Sequence, residues 1–197
     1  MNSLIVLCNP EPKSLNAAAA TSIAEAFRSA GHSTRLLDLY RIEFSPILTA
    51  DEVNRRFSFD EIVQEHAHFV TTADSLVFVH PDWWGAMPAL LKGWIDRVFR
   101  PGVAYEYEGP EFGTKSRVPL MSGKSASVCI TSDQPLPPDG HPIERIWTEH
   151  ILAFCGITRP VCHILGDIRN TTYRQRRRWI REISRECVAT ADRTEFR

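Results

Sequence analysis

No uninterrupted apolar stretch in these 197 residues is long enough to cross a bilayer. There is no G-x-G-x-x-G fingerprint and no Walker A sequence, which removes the dinucleotide Rossmann and P-loop readings. Cys8, Cys129, Cys155, Cys162 and Cys187 are odd in number and scattered, with no Cys-x-x-Cys pair. Neither a disulfide framework nor a metal site is therefore expected. Cys8, Cys129 and Cys162 fall in apolar runs and read as small core residues. Charge of either sign is not in excess: 23 Lys plus Arg stand against 24 Asp plus Glu, a formal net charge of -1. Nothing electrostatic thus points to nucleic acid or a membrane surface as partner. No basic region precedes the apolar run Leu4-Ile-Val-Leu-Cys8, and Pro10 cuts it short. It reads as a first strand rather than a signal peptide. Repeats and low-complexity linkers are missing too. The expectation is a reduced, cytoplasmic chain forming one domain over residues 1–197.

What is there centres on Ser75 to Tyr107. Ser75-Leu-Val-Phe-Val-His80 is short, apolar and rich in β-branched and aromatic residues, as a strand buried on both faces requires. Pro81 stops it, Asp82-Trp83-Trp84-Gly85-Ala86-Met87 forms a loop, and Pro88 suits the start of a helix. Leu90, Leu91, Trp94, Ile95, Val98 and Phe99 recur at helical spacing, so one helix face is core. Loops leaving the carboxyl ends of strands are where open α/β sheets bind ligands.

The remaining chain alternates. Strands are predicted at Leu4–Cys8, Ser33–Leu39, Ser125–Ile130 and Val161–Leu165, with helices at about Ala17–Ala30, Asp60–Val70, Glu144–Phe154 and Tyr173–Ala189. With Ser75–His80 these make a doubly wound, flavodoxin-like parallel sheet of five strands in the order 2-1-3-4-5. Ser14 and Asn16 are good N-cap residues, and a capped helix start is an anion site. His66 and His68 lie two apart on one helix and face different ways; both are expected at the surface. Glu106–Lys124 reads as a polar excursion, and the arginines from Arg174 to Arg185 as a solvated helix face.

Pro81 to Phe99, followed by Gly102-Val-Ala-Tyr-Glu-Tyr107, resembles the NAD(P)H:quinone oxidoreductases, flavoproteins of flavodoxin-like fold. The resemblance implies FAD, or alternatively FMN, with NAD(P)H as electron donor and a quinone or related electrophile as acceptor. By it, Asn9, Ser14, Leu15 and Asn16 would take the flavin's phosphates. Pro81, Asp82, Trp83, Trp84 and Gly85 would meet the ring, and Thr131, Ser132, Asp133 and Gln134 its pyrimidine edge. Trp84, Tyr105 and Tyr107 would line the substrate place, the tyrosines across a homodimer with a shared active site. Tyr105 and His141 are the catalytic candidates, His141 as proton donor or charge stabiliser. The family commonly has His at Asn9 and Thr-Thr-Gly-Gly at Thr131–Gln134. Asp133 is the clearest departure, expected as an ionised carboxylate that disfavours the reduced flavin. An alternative resemblance is to the regulatory flavoprotein subunits of glutathione-gated potassium efflux systems. A hydrolase using His80 or His141 with Asp82 and a serine would lack the G-x-S-x-G nucleophile elbow.

Overall fold

The computed structural model describes residues 1–110 and 114–195. Five parallel strands form the central sheet: β1 (Asn2–Leu7), β2 (Ser33–Asp38), β3 (Ser75–Pro81), β6 (Ser125–Thr131) and β7 (Val161–Leu165). Their order is β2-β1-β3-β6-β7. Counting only sheet strands, that is the expected 2-1-3-4-5. The two labels between β3 and β6 belong to an antiparallel hairpin, β4 (Tyr105–Glu108) with β5 (Ser116–Pro119), inside the stretch expected to be an irregular excursion. Residues 111–113 of that stretch lie outside the described residues.

Burial follows position in the sheet. All of β6 and all of β3 except Pro81 are buried, because helices cover both faces of the middle strands. One face packs under α1 (Leu15–Ser29) and α7 (Tyr173–Glu195), with Ile23, Phe27, Ile183 and Cys187 meeting Ile5, Val77 and Cys129. The other face carries α3 (Glu61–Thr72), α4 (Ala89–Val98) and one continuous helix. That helix comprises α5 (Pro142–Arg145), a π-helical turn (Ile146–Leu152) and α6 (Ala153–Cys155). Cys162 is only half-buried, a correction to its core reading, because β7 is an edge strand.

Two departures have clear causes. His66 is buried, not exposed: its Nδ1 accepts from Trp94 Nε1 at 3.1 Å, and Phe44 stacks on its ring. Burial lowers its pKa, so it sits as a neutral acceptor for the indole. His68, two residues on, is exposed as expected. A short helix, α2 (Ala50–Arg55), also precedes α3; Thr49 and Glu52 close a capping box at its start. Glu52 then reaches α4, where Arg97 bonds Glu52, Asp60 and the Ser45 carbonyl. Gly93 allows this close seat, since a Cβ there would fall 2.2 Å from the Pro46 carbonyl oxygen.

Candidate active site

The strand order reverses between β1 and β3, and the crevice at their carboxyl ends is where a doubly wound sheet takes ligands. Three loops bound it. The first runs from Cys8 to Ser14, the N-cap of α1, whose hydroxyl accepts from Ala17 N at 3.1 Å. The N–H groups of Leu15 and Asn16 belong to the first turn and have no helical acceptor. Asn9 is held by its neighbours: it donates to Asn16 Oδ1 at 2.8 Å and accepts from Glu11 N at 2.9 Å. Thr131 Oγ1 donates to the same Asn16 oxygen at 3.1 Å. Asn16 Nδ2, by contrast, is buried with no partner.

The second loop is a tight turn. Trp83 and Ala86 exchange backbone bonds of 2.9 and 3.2 Å around Trp84 and Gly85. Both central residues have positive φ, 60° at Trp84 and 74° at Gly85, the signature of a I′ turn. Glycine accepts this freely; tryptophan does so at a strain of about 1 kcal/mol. Trp84 projects fully into solvent and Trp83 is also exposed.

The third loop, Ser132–His141, is tied to the second through Asp82. Asp82 N donates to Thr131 O at 2.7 Å. Its Oδ2 accepts from Ser132 Oγ and from His141 Nε2, each at 3.1 Å. His141 is the N-cap of α5, its Nδ1 accepting from Ile143 N at 3.4 Å, so both ring nitrogens are engaged. Asp82 Oδ1 is buried and unpaired. Gln134 N donates to Ser132 Oγ at 3.2 Å, and Gln134 and Asp133 are exposed.

Asp133 is not the free carboxylate expected from the sequence. Arg169, from the 3-10 turn Ile168–Asn170 after β7, binds it at 2.5 and 2.7 Å. The buried carboxylate of the crevice is Asp82. The hydrolase arrangement is also excluded by geometry. Ser132 and His141 share one Asp82 oxygen instead of bonding each other, and His80 has both nitrogens occupied. Its Nε2 accepts from Trp147 Nε1 at 2.9 Å and its Nδ1 bonds Pro81 O at 2.8 Å. Burial drops its pKa to about 4, so it stays neutral.

Tyr105 and Tyr107 stand apart from these loops. α4 begins beside the crevice at Pro88 and runs ten residues away from it, about 15 Å, before the chain reaches them. Tyr105 packs edge-on against Tyr107 and Phe154 and lines a cavity of about 240 Å³ with Leu48, Glu52, Val53 and Arg100. Burial raises its pKa. Sequence reasoning set Asp82 with His80 or His141 and a serine only as a hydrolase alternative. It missed that Asp82, His141 and Ser132 form a structural junction and that Asp133 pairs with Arg169. Only the first left a signal, Pro142 directly after a capping-competent His141.

The sheet order and its crevice define a flavodoxin-like α/β protein. A family profile described as the flavodoxin-like fold matches residues 1–184, and the chain belongs to that family. An uncharacterized NAD(P)H oxidoreductase of Haemophilus influenzae is 31% identical over 179 residues, spanning 85% of each chain. Among solved structures, Smu.1420 from Streptococcus mutans aligns with a TM-score of 0.83 at 30% identity, covering 95% of this chain and 98% of that one. An NAD(P)H:quinone oxidoreductase from Methanothermobacter marburgensis aligns with a TM-score of 0.77 at 27% identity, covering 95% and 94%. Within its family the chain falls with the oxidoreductases.

Proposed function

We propose that this chain, as one domain over residues 1–197, is a flavin-dependent NAD(P)H:quinone oxidoreductase that works by a ping-pong cycle. One observation carries the reading. Across the crevice a buried donor, Asn16 Nδ2, and a buried acceptor, Asp82 Oδ1, both lack partners. A buried unpaired polar atom is destabilising unless a ligand completes it. A flavin, with phosphate acceptors at one end and an imide N–H at the other, has the groups these atoms would meet once the loops shift to admit it. When bound, it supplies hydride chemistry, receiving from NAD(P)H and giving to a quinone in turn.

The protein's own contribution is placement. Ser14, Leu15 and Asn16 offer the α1 N-terminus to phosphate, with Asn9 fixing the Asn16 amide. Pro81 and Asp82 to Gly85 present a close backbone and two exposed indoles to a planar ring. Thr131, Ser132 and Gln134 support the pyrimidine edge, with Asp133 beside them paired to Arg169. His141 acts as charge stabiliser through Asp82. Tyr105 and Tyr107, at the far end of α4, reach a crevice only across a homodimer, so the substrate wall beside Trp84 comes from the second subunit. Exposed Ile47, Leu48, Val53, Phe57 and Phe59 beside that cavity give such a dimer an apolar face.

The test is a spectrum of the purified protein, with absorbance near roughly 450 nm. Chromatography of the released cofactor then distinguishes FAD, the primary choice, from FMN. NAD(P)H oxidation should depend on added quinone, and sedimentation should give a dimer. A colourless protein that takes up neither flavin ends the oxidoreductase reading.

A further inference from the structure

Behind the sheet, away from the crevice, two cysteines that no part of the proposed reaction uses lie in contact. Cys129 on β6 and Cys187 on α7 are both buried, with their sulfurs 3.9 Å apart. β7 sets His163 directly beside Cys129 in the parallel register. The adjoining α7 residue, Glu186, accepts from His163 Nδ1 at 3.2 Å. That bond fixes the imidazole tautomer and leaves Nε2 with the lone pair. Nε2 is buried and makes no hydrogen bond. The fold thus sets a carboxylate-bound imidazole beside two buried thiols that touch each other.

We propose that Cys129 and Cys187 are a redox-active dithiol, oxidised by hydroperoxides to an intramolecular disulfide that staples α7 to the central sheet. Cys187 is the attacking thiol. Contact with the Cys129 sulfur lowers its pKa against the opposing effect of burial, and His163 and Ser127 add to the lowering. Cys129 is pushed well above its ordinary value by the same contact, so it resolves rather than attacks. The titratable groups facing the pair are Cys162 and His163 from β7 and Glu186 from α7. Moving the Cys187 proton to His163 makes a thiolate–imidazolium pair, which avoids burying a lone charge.

The step balances. The Cys187 thiolate attacks the terminal oxygen of ROOH, the O–O bond breaks, and the alkoxide takes a proton from imidazolium to leave as ROH. Cys187 is then a sulfenic acid. Cys129 sulfur attacks it, the S–O bond breaks, and the hydroxide leaves with the Cys129 proton as water. Two thiols have lost two electrons to one peroxide. Both sulfurs are buried, so reaction with hydroperoxide requires a local opening of α7.

The experiment exposes the purified full chain, with whatever cofactor it carries, to hydrogen peroxide and maps peptides without reduction. A linked Cys129–Cys187 peptide, reversed by dithiothreitol and accompanied by a higher unfolding temperature, is expected. Cys129→Ser should instead accumulate a sulfenic acid at Cys187, trapped by dimedone. His163→Asn should slow the wild-type reaction roughly tenfold at neutral pH and move its pH inflection upward, as loss of thiolate dictates. Cys187→Ser, the smallest change at that site, should abolish the link while leaving the fold's circular dichroism intact. Oxidation that falls first on Cys155 or Cys162, or a link that forms only in denaturant, would overturn the assignment.

Discussion

His141 Nε2 donates to Asp82 Oδ2 at 3.1 Å, with both side chains less than 10% exposed, and this bond joins the two loops that frame the crevice. Ser132 shares the same oxygen, so one carboxylate sets the spacing of the aromatic turn and the start of α5.

His141→Ala removes a bond to a buried carboxylate and the cap on Ile143 together. A loss of about 2–3 kcal/mol of stability is expected by urea unfolding. Asp82→Ala should be comparably harmful, and the double variant should cost about 1–2 kcal/mol less than the sum. Additive losses would show that the pair does not interact.

Glu52 gives a pH prediction. Burial alone would raise its pKa, but bonds from Arg97, Ser58 and the Thr49 backbone outweigh it and bring the value from 4.5 to about 2. The folded value lies below the unfolded one, so its stabilisation is complete above 4.5 and drains as pH falls toward 2. The amount is on the order of 2 kcal/mol after allowing for solvent at the rim. Glu52→Gln should lose that much at neutral pH and flatten the acid limb across the same window. An acid limb as steep as wild type's would place the titrating group elsewhere.

Trp84 occupies a conformation that glycine takes without strain. Trp84→Gly should therefore raise stability by about 1 kcal/mol while lowering flavin affinity and quinone turnover. A variant that is more stable and equally active would remove Trp84 from the site.

How far the sequence reaches follows from the range of each interaction. The β3–loop–α4 unit was readable because composition and period are local, and Ser14 because capping spans one turn; Asn16, the other capping candidate, lies inside α1 with its side chain on Asn9 and Thr131. α2 was missed although its signal, Thr49 and Glu52 three residues apart, is equally local. His66 was not. Its burial depends on Trp94, 28 residues away, and spacing on α3 says only that it and His68 diverge. The π turn at Ile146–Leu152 carries no sequence signal, yet the Trp147 within it bonds His80 across 67 residues. Asp82 was placed against the ring by resemblance, but its buried bonds to Ser132 and His141 were not legible because neither is near it in the chain.

Asp133 shows the same limit and gives the last prediction. Read alone, a carboxylate in the third loop should repel charge gained on flavin reduction. An unpaired one close to a reducible ring would lower its two-electron potential by roughly 20 mV. Arg169, 36 residues later, removes that effect by binding Asp133 through two nitrogens. Asp133→Asn should therefore raise the midpoint potential by up to about 20 mV, since the Arg169 charge is then uncompensated. Arg169→Gln should lower it by up to about 20 mV, since the carboxylate is then uncompensated. The double variant should return to the wild-type value, which separates charge pairing from any direct effect of Arg169. Potentiometric titration of all four proteins at one pH reads the outcome. An Arg169→Gln potential equal to wild type beside a raised Asp133→Asn potential would mean that the carboxylate acts on the ring uncompensated and the pair is open in solution.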